Sequence, residues 1–235
     1  MKVGILETGR PPADLPGRFG TYSDMFQQLL GPSYSYATFD VRQGELPAAS
    51  DDCDAYLITG SAAGVYDPLD WIEPLKSFVR NVSGRTTLVG ICFGHQLMAE
   101  AFGGRVIKSP NGWGIGLHDY EVRRRAAWMD DAPTIAVPAS HQDQVVELPP
   151  GAIVLTGNAF TPFGALEYPG RKAISFQGHP EFTPEYAGAL IDLRRGTRFE
   201  AAFADEAIAS LRKPNDRERV ATWLRQFIAM AAAQR

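Results

Sequence analysis

Short apolar runs alternate with amphipathic segments along the first part of the chain. The apolar runs contain few polar positions, which is typical of strands buried on both faces of a sheet. The amphipathic segments carry apolar side chains at helical spacing. In chain order, the pattern predicts strands at residues 1–7, 37–41, 55–59 and 87–92, with helices at 21–30 and 71–82. This alternation predicts parallel strands joined by crossover helices, and therefore an open α/β sheet with helices on both faces.

The pattern changes between residues 106 and 177, where short β-rich runs are separated by turn residues. We interpret these runs as hairpins or as a β-rich extension of the sheet. Thr183 and Pro184 then supply a helix cap and a proline at the first helical position, so the sequence predicts helix from there to the C-terminus. From Val220 onward, apolar residues form one stripe that is suited to docking on the body of the protein.

These patterns favour one main domain over residues 1–190 and a C-terminal helical extension over residues 191–235, packed on the same domain. The sheet is expected to be open and mostly parallel. In such sheets, binding and catalytic residues lie at the carboxyl ends of the strands. A loop rich in glycine and proline, residues 8–20, follows the first predicted strand and therefore lies at that edge.

Composition and charge narrow the class of protein. The 235 residues include 23 Lys and Arg against 27 Asp and Glu, which gives a formal charge of −4 and no electrostatic reason to expect nucleic acid or an anionic membrane as partner. No stretch approaches the roughly 18 consecutive apolar residues of a membrane-spanning helix. The two cysteines are too few for a disulfide-stapled secreted scaffold. We therefore expect a cytoplasmic protein.

One of the two cysteines, Cys92, lies where an apolar strand meets a helix-forming segment. It is the centre of the sequence GICFG at residues 90–94. Glycines two residues away on each side leave room for the strained backbone of a sharp strand-to-helix turn. The N-terminus of the following helix favours negative charge, and hence the thiolate that attacks a carbonyl. Cys53 has no such glycines and lies among acidic residues, so we expect it to be structural.

A candidate base for this nucleophile is His179, in the tripeptide HPE directly after the apolar run at residues 173–176. A residue before proline is restricted to extended geometry, and in an extended chain positions i and i+2 point to the same side. His179 and Glu181 can therefore lie side by side, with the carboxylate orienting the imidazole. Alone, the tripeptide is more typical of an exposed turn; together with Cys92 it favours a Cys-His-Glu catalytic triad.

At these two motifs the sequence resembles the class I, or triad, glutamine amidotransferases. Their glutaminase domains carry a G-x-C-x-G-x-Q segment and a later H-P-E, matched here at residues 90–96 and 179–181. The chain is similar to the glutaminase domain of GMP synthetases and to stand-alone plant γ-glutamyl peptidases. The resemblance implies a flavodoxin-like fold. It also implies cysteine-dependent hydrolysis of a γ-glutamyl amide through a thioester, with a small-molecule substrate and no cofactor or metal.

The resemblance further implies which residues bind the substrate. The backbone N–H groups of Ser61 and Phe93 would hold the developing oxyanion. The acid of the family's S-H-G-D-x-V segment, which binds the substrate's α-amino group, corresponds to Asp143. The segment at residues 111–116, with Trp113, resembles one that lines the pocket entrance. The substrate-binding residues implied in this way are Gly60, Gln96, His141 and Asp143.

The sequence is compatible with two kinds of substrate. Synthetases of the family join the glutaminase to an ammonia-using domain, but only 235 − 181 = 54 residues follow Glu181, so we expect no such domain in this chain. One possibility is a separate synthetase subunit that accepts the ammonia. The other is a protein that acts alone on a γ-glutamyl peptide or conjugate.

Two other classes of function compete with this interpretation. A metal-dependent hydrolase would use two pairs of histidine and carboxylate, formed by His141 with Asp143 and by His179 with Glu181. The spacing is not a standard zinc pattern, and this alternative leaves the cysteine motif unexplained. A binding module that kept the fold and lost turnover is disfavoured because all three triad residues are present.

Overall fold

The computed structural model describes residues 1–233. Its strands are β1 (Lys2–Glu7), β2 (Ser35–Asp40), β3 (Ala55–Ile58), β4 (Thr87–Ile91), β5 (Arg105–Lys108), β6 (Gly114–Val122), β7 (Thr134–His141), β8 (Asp143–Glu147), β9 (Ile153–Gly157), β10 (Ala165–Tyr168) and β11 (Ala173–Phe176). Its helices are α1 (Pro16–Phe19), α2 (Tyr22–Leu30), α3 (Ile72–Val82), α4 (Phe93–Ala101), α5 (Pro184–Leu193), α6 (Ala201–Ser210) and α7 (Arg217–Ala232).

A single large sheet organises the fold. Within residues 1–233 it has nine strands in the order β2-β1-β3-β4-β11-β10-β9-β6-β7, and β5 pairs with β8 in a separate ribbon. The strands from β2 to β11 in this order are parallel, whereas those from β11 to β7 are antiparallel. The predicted α/β fold, with a parallel sheet and a β-rich extension, is confirmed.

Helices cover both faces of the parallel strands because successive strand side chains point to opposite faces. On one face, α2 and α7 pack against alternate strand residues such as Ile5 and Leu57. On the other face, α3 and α4 pack against the neighbouring strand residues, including Leu6 and Ile58. A third apolar cluster joins α5 and α6 to Tyr22 at the start of α2. These layers bury the sheet and leave its carboxyl edge for the loops.

Three predictions of local structure need correction. The C-terminal region is not one continuous helical stretch, because Gly196, with φ 70°, and Pro214 interrupt it between α5, α6 and α7. The loop at residues 8–20 contains the one-turn helix α1. The strands β5 and β8 were not predicted, because they pair with each other outside the main sheet and lack a long apolar run.

The last strand in the chain, β11, lies in the middle of the main sheet, a position that hairpin patterns do not predict. It lies parallel to β4, with Ser175 opposite Gly90 and Phe176 opposite Ile91. The carboxyl ends of these two strands are therefore neighbours.

None of the helices within residues 1–233 combines the length and apolar character that crossing a bilayer requires.

Candidate active site

The turn between β4 and α4 places Cys92 at the N-terminus of α4. Its backbone has φ 53° and ψ −102°, a conformation that non-glycine residues rarely adopt, and its N–H donates to the carbonyl of Phe176 at 2.8 Å. A Cβ on Gly90 would lie 2.5 Å from the carbonyl oxygen of Gly94, and a Cβ on Gly94 would overlap the carbonyl oxygen of Ile58. Gly90 is thus required by the sharpness of the turn, and Gly94 by the close approach of α4 to β3.

The segment after β11 brings His179 to the same edge. Its Nδ1–H donates to Oε1 of Glu181 at 2.7 Å, and the two side chains are only 4% and 1% exposed. Burial by itself would lower the pKa of His179, but the negative charges of Cys92 and Glu181 outweigh it and raise that pKa to about 10. Because Nδ1 is taken by the carboxylate, Nε2 is the ring nitrogen left for Cys92.

The imidazole of His179 is fixed by ring stacking as well as by the hydrogen bond of its Nδ1. The ring of Phe182 stacks on that of His179, with centroids 4.0 Å apart and planes 5° from parallel. Phe182 is itself buried against Tyr186 in α5. From α7, Arg217 donates through Nε to the carbonyl of Pro180 at 2.8 Å and through Nη2 to that of Glu181 at 3.3 Å. The whole HPE turn is therefore fixed by elements that follow it in the chain.

The loop after β3 closes the site from the other side. A Cβ on Gly60 would lie 3.0 Å from Cε1 of His179 and 3.7 Å from Cβ of Cys92, so both side chains lie against this glycine. Thr8, at the end of β1, fixes the loop: its N–H donates to Oγ1 of Thr59 at 3.0 Å, and its hydroxyl donates to the carbonyl of Thr59 at 3.0 Å. The carboxyl ends of β1, β3, β4 and β11 thus meet at one point.

A cavity of about 570 Å³ opens over Cys92. The residues named from the sequence that line it are Gly60, Ser61, Cys92, Gln96, His141, Asp143 and His179. Phe93 and Glu181 are buried next to Cys92 and His179 respectively. Trp113 also lines the cavity, as the resemblance implies for the pocket entrance.

One end of this cavity is formed around Asp143. Nε2 of Gln96 donates to the backbone carbonyl of Asp143 at 2.7 Å and to Oε1 of Gln177 at 3.1 Å. The hydroxyl of Tyr66 donates to the carboxylate of Asp143 at 3.0 Å. Burial raises the pKa of Asp143, while the Tyr66 hydrogen bond and the charge of Lys108 oppose this shift. The arrangement presents a half-buried carboxylate to the cavity.

Two further histidines near the site are buried and neutral. Burial lowers the pKa of His141 to about 3, with the nearby rings of His118 and His179 adding to the shift. Burial also lowers the pKa of His95 to about 3, and its Nδ1 is hydrogen-bonded with Oγ of Ser175 at 2.8 Å. Within the part of the chain that is described, no group of three or more His, Cys, Asp or Glu is arranged to hold a metal ion.

Several cavity residues were not identified from the sequence. They come from loops and from the ends of helices and strands in several parts of the chain: Arg10, Tyr22, Tyr66, Lys108, Arg194 and Arg198. None of them lies in a motif with its own chemical signature. The basic residues Arg194 and Arg198 are four positions apart, but that spacing is common on exposed helical surfaces. Only the tertiary structure, in which both residues line the cavity, shows that they face the site.

Comparison with known proteins adds the family. The sequence profile described as glutamine amidotransferase class-I matches residues 34–192, which is more than half of the chain. A glutamine amidotransferase-like protein of Schizosaccharomyces pombe is 29% identical, over 96% of this chain and 98% of its own length. Gamma-glutamyl peptidase 4 of Arabidopsis thaliana is 30% identical, over 91% of this chain and 89% of its own.

The solved structures agree at the level of the fold. A glutamine amidotransferase of Thermotoga maritima superposes with a TM-score of 0.74 at 17% identity, over 98% of each chain. Because that identity is low, the superposition shows the fold alone. Taken with the sequence matches, it establishes that the chain belongs to the class-I glutamine amidotransferase family, whose members include glutamine amidotransferases and γ-glutamyl peptidases.

Proposed function

We propose that this protein hydrolyses a γ-glutamyl amide, with Cys92 as nucleophile, His179 as general acid and base, and Glu181 as the group that orients His179. The observation that carries the proposal is the arrangement at the sheet edge. A cysteine on a strained strand-to-helix turn lies in the same cavity as an imidazole whose other nitrogen is bound by a buried carboxylate at 2.7 Å. This is the geometry expected of an activated thiol nucleophile.

The reaction proceeds in two stages. In the first, the Sγ atom of Cys92 forms a bond to the γ-carbonyl carbon. The negative charge on oxygen is held by the N–H groups of Ser61 and Phe93; Phe93 is the first residue of α4, whose N–H has no acceptor within the helix. The C–N bond then breaks as His179 gives its proton to the departing nitrogen. Ammonia or an amine leaves, and the γ-glutamyl group remains as a thioester on Cys92.

In the second stage, water gives a proton to His179 and attacks the thioester carbon. The C–S bond breaks, glutamate is released, and the starting charges of Cys92 and His179 are restored. We assign the carboxylate of Asp143 to the α-ammonium group of the substrate, with Gly60, Gln96 and His141 completing the binding site. A reducing, cytoplasmic location suits this chemistry, because oxidation of the thiolate would stop it.

Two substrates fit this mechanism. One is glutamine, with the ammonia passed to a synthetase subunit on a separate chain. The other is a γ-glutamyl peptide or conjugate, hydrolysed by this chain alone. The similarity to a γ-glutamyl peptidase over nearly the whole chain supports the second. So does the cavity of about 570 Å³, which falls within the range of roughly 300–1,000 Å³ typical of pockets for drug-sized ligands.

The test is a comparison of two cysteine variants. Cys92→Ser should reduce glutamate release from glutamine and from γ-glutamyl dipeptides by about 10³-fold or more, because the hydroxyl is a far weaker nucleophile. Cys53→Ala, which removes the other buried thiol, should keep activity and should still be labelled by an electrophilic glutamine mimic. Full activity or full labelling in Cys92→Ser would contradict the proposed function.

A further inference from the structure

Two arginines line the candidate active-site cavity without an acidic partner. They are Arg194, the first residue after α5, which is half-buried, and Arg198, which is exposed. Nη1 of Arg194 lies 3.5 Å from the hydroxyl of Ser140, and the guanidinium of Arg198 lies 5.3 Å from the ring centre of Trp113. Within residues 1–233, neither arginine forms an ion pair.

The neighbouring Arg195, by contrast, forms ion pairs with acidic side chains. Arg195 does not line the cavity; its Nε lies 2.9 Å from Asp192, and its Nη1 is paired with Asp205. Asp192 and Asp205 are thus paired with Arg195, which lies outside the cavity. The two arginines on the inner side present guanidinium groups to the cavity instead.

The unpaired arginines are unfavourable in an empty cavity. Burial lowers the pKa of Arg194, and the like charge of Arg198 lowers it further. An anion placed between the two groups would remove this repulsion. A guanidinium is also the side chain best suited to a carboxylate, because its fork of donors matches the two oxygens.

The charges of a γ-glutamyl group can be met elsewhere in the cavity. Asp143 offers a carboxylate to the α-ammonium, and Lys108 lies opposite Asp143 in the β5–β8 ribbon and lines the same cavity. Asp67 lines the cavity near Asp143 as well, so this end of the cavity offers both negative and positive groups to the zwitterionic end of the substrate. If the substrate were glutamine, the leaving group would be ammonia and nothing would match the arginines.

The contacts of the two charged regions are also distinct. Asp143 is bound by Tyr66 and Gln96, whereas Arg194 is hydrogen-bonded with Ser140 and interacts electrostatically with Tyr22 and Tyr186. Cys92 and His179 line the cavity that these two regions share. A substrate with a γ-glutamyl group at Asp143 and its scissile bond at Cys92 would extend its leaving group toward the arginines.

We propose that Arg194 and Arg198 form a leaving-group subsite that binds a carboxylate on the departing amine. The substrate class is then γ-glutamyl amino acids and peptides with a free carboxylate, rather than glutamine. This proposal rests on the proposed function, since it assumes that Cys92 cleaves a γ-glutamyl amide bond. The reaction is unchanged: the amine nitrogen takes its proton from His179 and leaves with its carboxylate.

The experiment compares γ-glutamylglycine with γ-glutamylglycinamide, which share the scissile bond and differ only in a carboxylate or an amide on the leaving group. We expect kcat/KM for glutamate release to favour γ-glutamylglycine by at least about tenfold in the unmodified protein. In Arg194→Gln and in Arg198→Gln this preference should fall about tenfold, mainly through a higher KM for γ-glutamylglycine. The matched control is Arg212→Gln, an exposed arginine outside the cavity, which should keep the preference.

The outcomes separate this inference from the proposed function. Equal turnover of both compounds by the unmodified protein would overturn the leaving-group subsite while leaving Cys92-dependent hydrolysis intact. Equal losses on both compounds in the arginine variants would also overturn it, because the arginines would then bind the γ-glutamyl group or support the fold. A thermal melt of each variant identifies misfolding. Arg198 is exposed, so Arg198→Gln is the variant whose folding should be least affected. If the unmodified protein hydrolyses glutamine but neither of these compounds, the subsite is overturned and the proposed function stands. If it releases glutamate from none of the three, the proposed function is contradicted as well.

Discussion

At the scale of single residues, the charges next to His179 set its protonation. The imidazole of His179 is buried, which disfavours its charged form, yet the charges of Cys92 and Glu181 more than compensate and hold its pKa at about 10. The ring is therefore protonated through the neutral range, which is the form that can give a proton to a leaving nitrogen. Stacking on Phe182 fixes the direction in which that proton is held.

This electrostatic arrangement predicts a change in pH dependence for Glu181→Gln. Removing one of the negative charges that raise the pKa of His179 lowers that pKa, so the imidazole loses its proton at lower pH. The high-pH limb of a kcat/KM profile should move to lower pH, and kcat should fall because the ring is less well oriented. The measurement is glutamate release from a γ-glutamyl dipeptide between about pH 6 and pH 11, a range that spans the ordinary and the raised value.

The matched control is Glu185→Gln, an exposed acid in the first turn of α5. It removes the same charge from the same region without touching the imidazole. Its profile should overlay that of the unmodified protein. An unshifted high-pH limb in Glu181→Gln would show that the carboxylate does not control protonation of His179.

At the scale of elements, close approach between the β3 loop and the HPE turn shapes the site. Gly60 has no side chain, and the space that a Cβ would occupy is bordered by the His179 ring at 3.0 Å. The loop is anchored from the β1 side by Thr8, so it has little freedom to move away. A methyl group at this position would therefore press on the imidazole and disturb its position relative to Cys92.

Gly60→Ala should lower kcat by at least about tenfold with little change in the midpoint of thermal unfolding, since misplacement of reacting groups by about 1 Å can lower a rate by about 10²-fold. The paired control is Gly188→Ala in α5, where the new Cβ would lie 3.9 Å from the nearest atom, in Leu211. That change should raise the free energy of unfolding by about 0.5–1 kcal/mol, because alanine is the better helix former. Wild-type kcat in Gly60→Ala would contradict the close-approach argument.

At the scale of the whole molecule, the C-terminal helices are joined to the main domain. Trp223, Leu224 and Phe227 of α7 belong to the same apolar cluster as β1, β3 and β4. Arg217 at the start of α7 binds the backbone of the HPE turn. We propose that residues 1–190 and the helical extension unfold as one cooperative unit, so that loss of packing at α7 affects the site directly.

Trp223→Ala tests this proposal. The side chain is 1% exposed, and removing it should lower the free energy of unfolding by about 3–5 kcal/mol. Far-UV circular dichroism, tryptophan fluorescence and loss of activity should report the same transition midpoint. Gln226→Ala, at an exposed position on the same helix, should change stability by less than about 0.5 kcal/mol. Separate transitions for activity and secondary structure would contradict a single unit.

Much of the fold and part of the site could be predicted from sequence because they depend on neighbouring residues. The strands and helices around Cys92 were predicted from apolar spacing, and the GICFG turn from the glycines that its backbone requires. The HPE segment was predicted to align His179 with Glu181 because proline restricts the preceding residue, and the structure brings these side chains to 2.7 Å. These requirements are local, so short stretches of sequence contain them.

The sequence by itself therefore determined the type of sheet, the strained turn at Cys92 and the family. Only the tertiary structure decided that β11 pairs with β4, which brings residues 92 and 179 to one edge although they are distant in the chain. It alone placed Arg194 and Arg198 in the cavity and Arg217 on the HPE turn. The physical reason is that such neighbours are chosen by the packing of whole elements against the sheet, and no spacing within one segment encodes that choice.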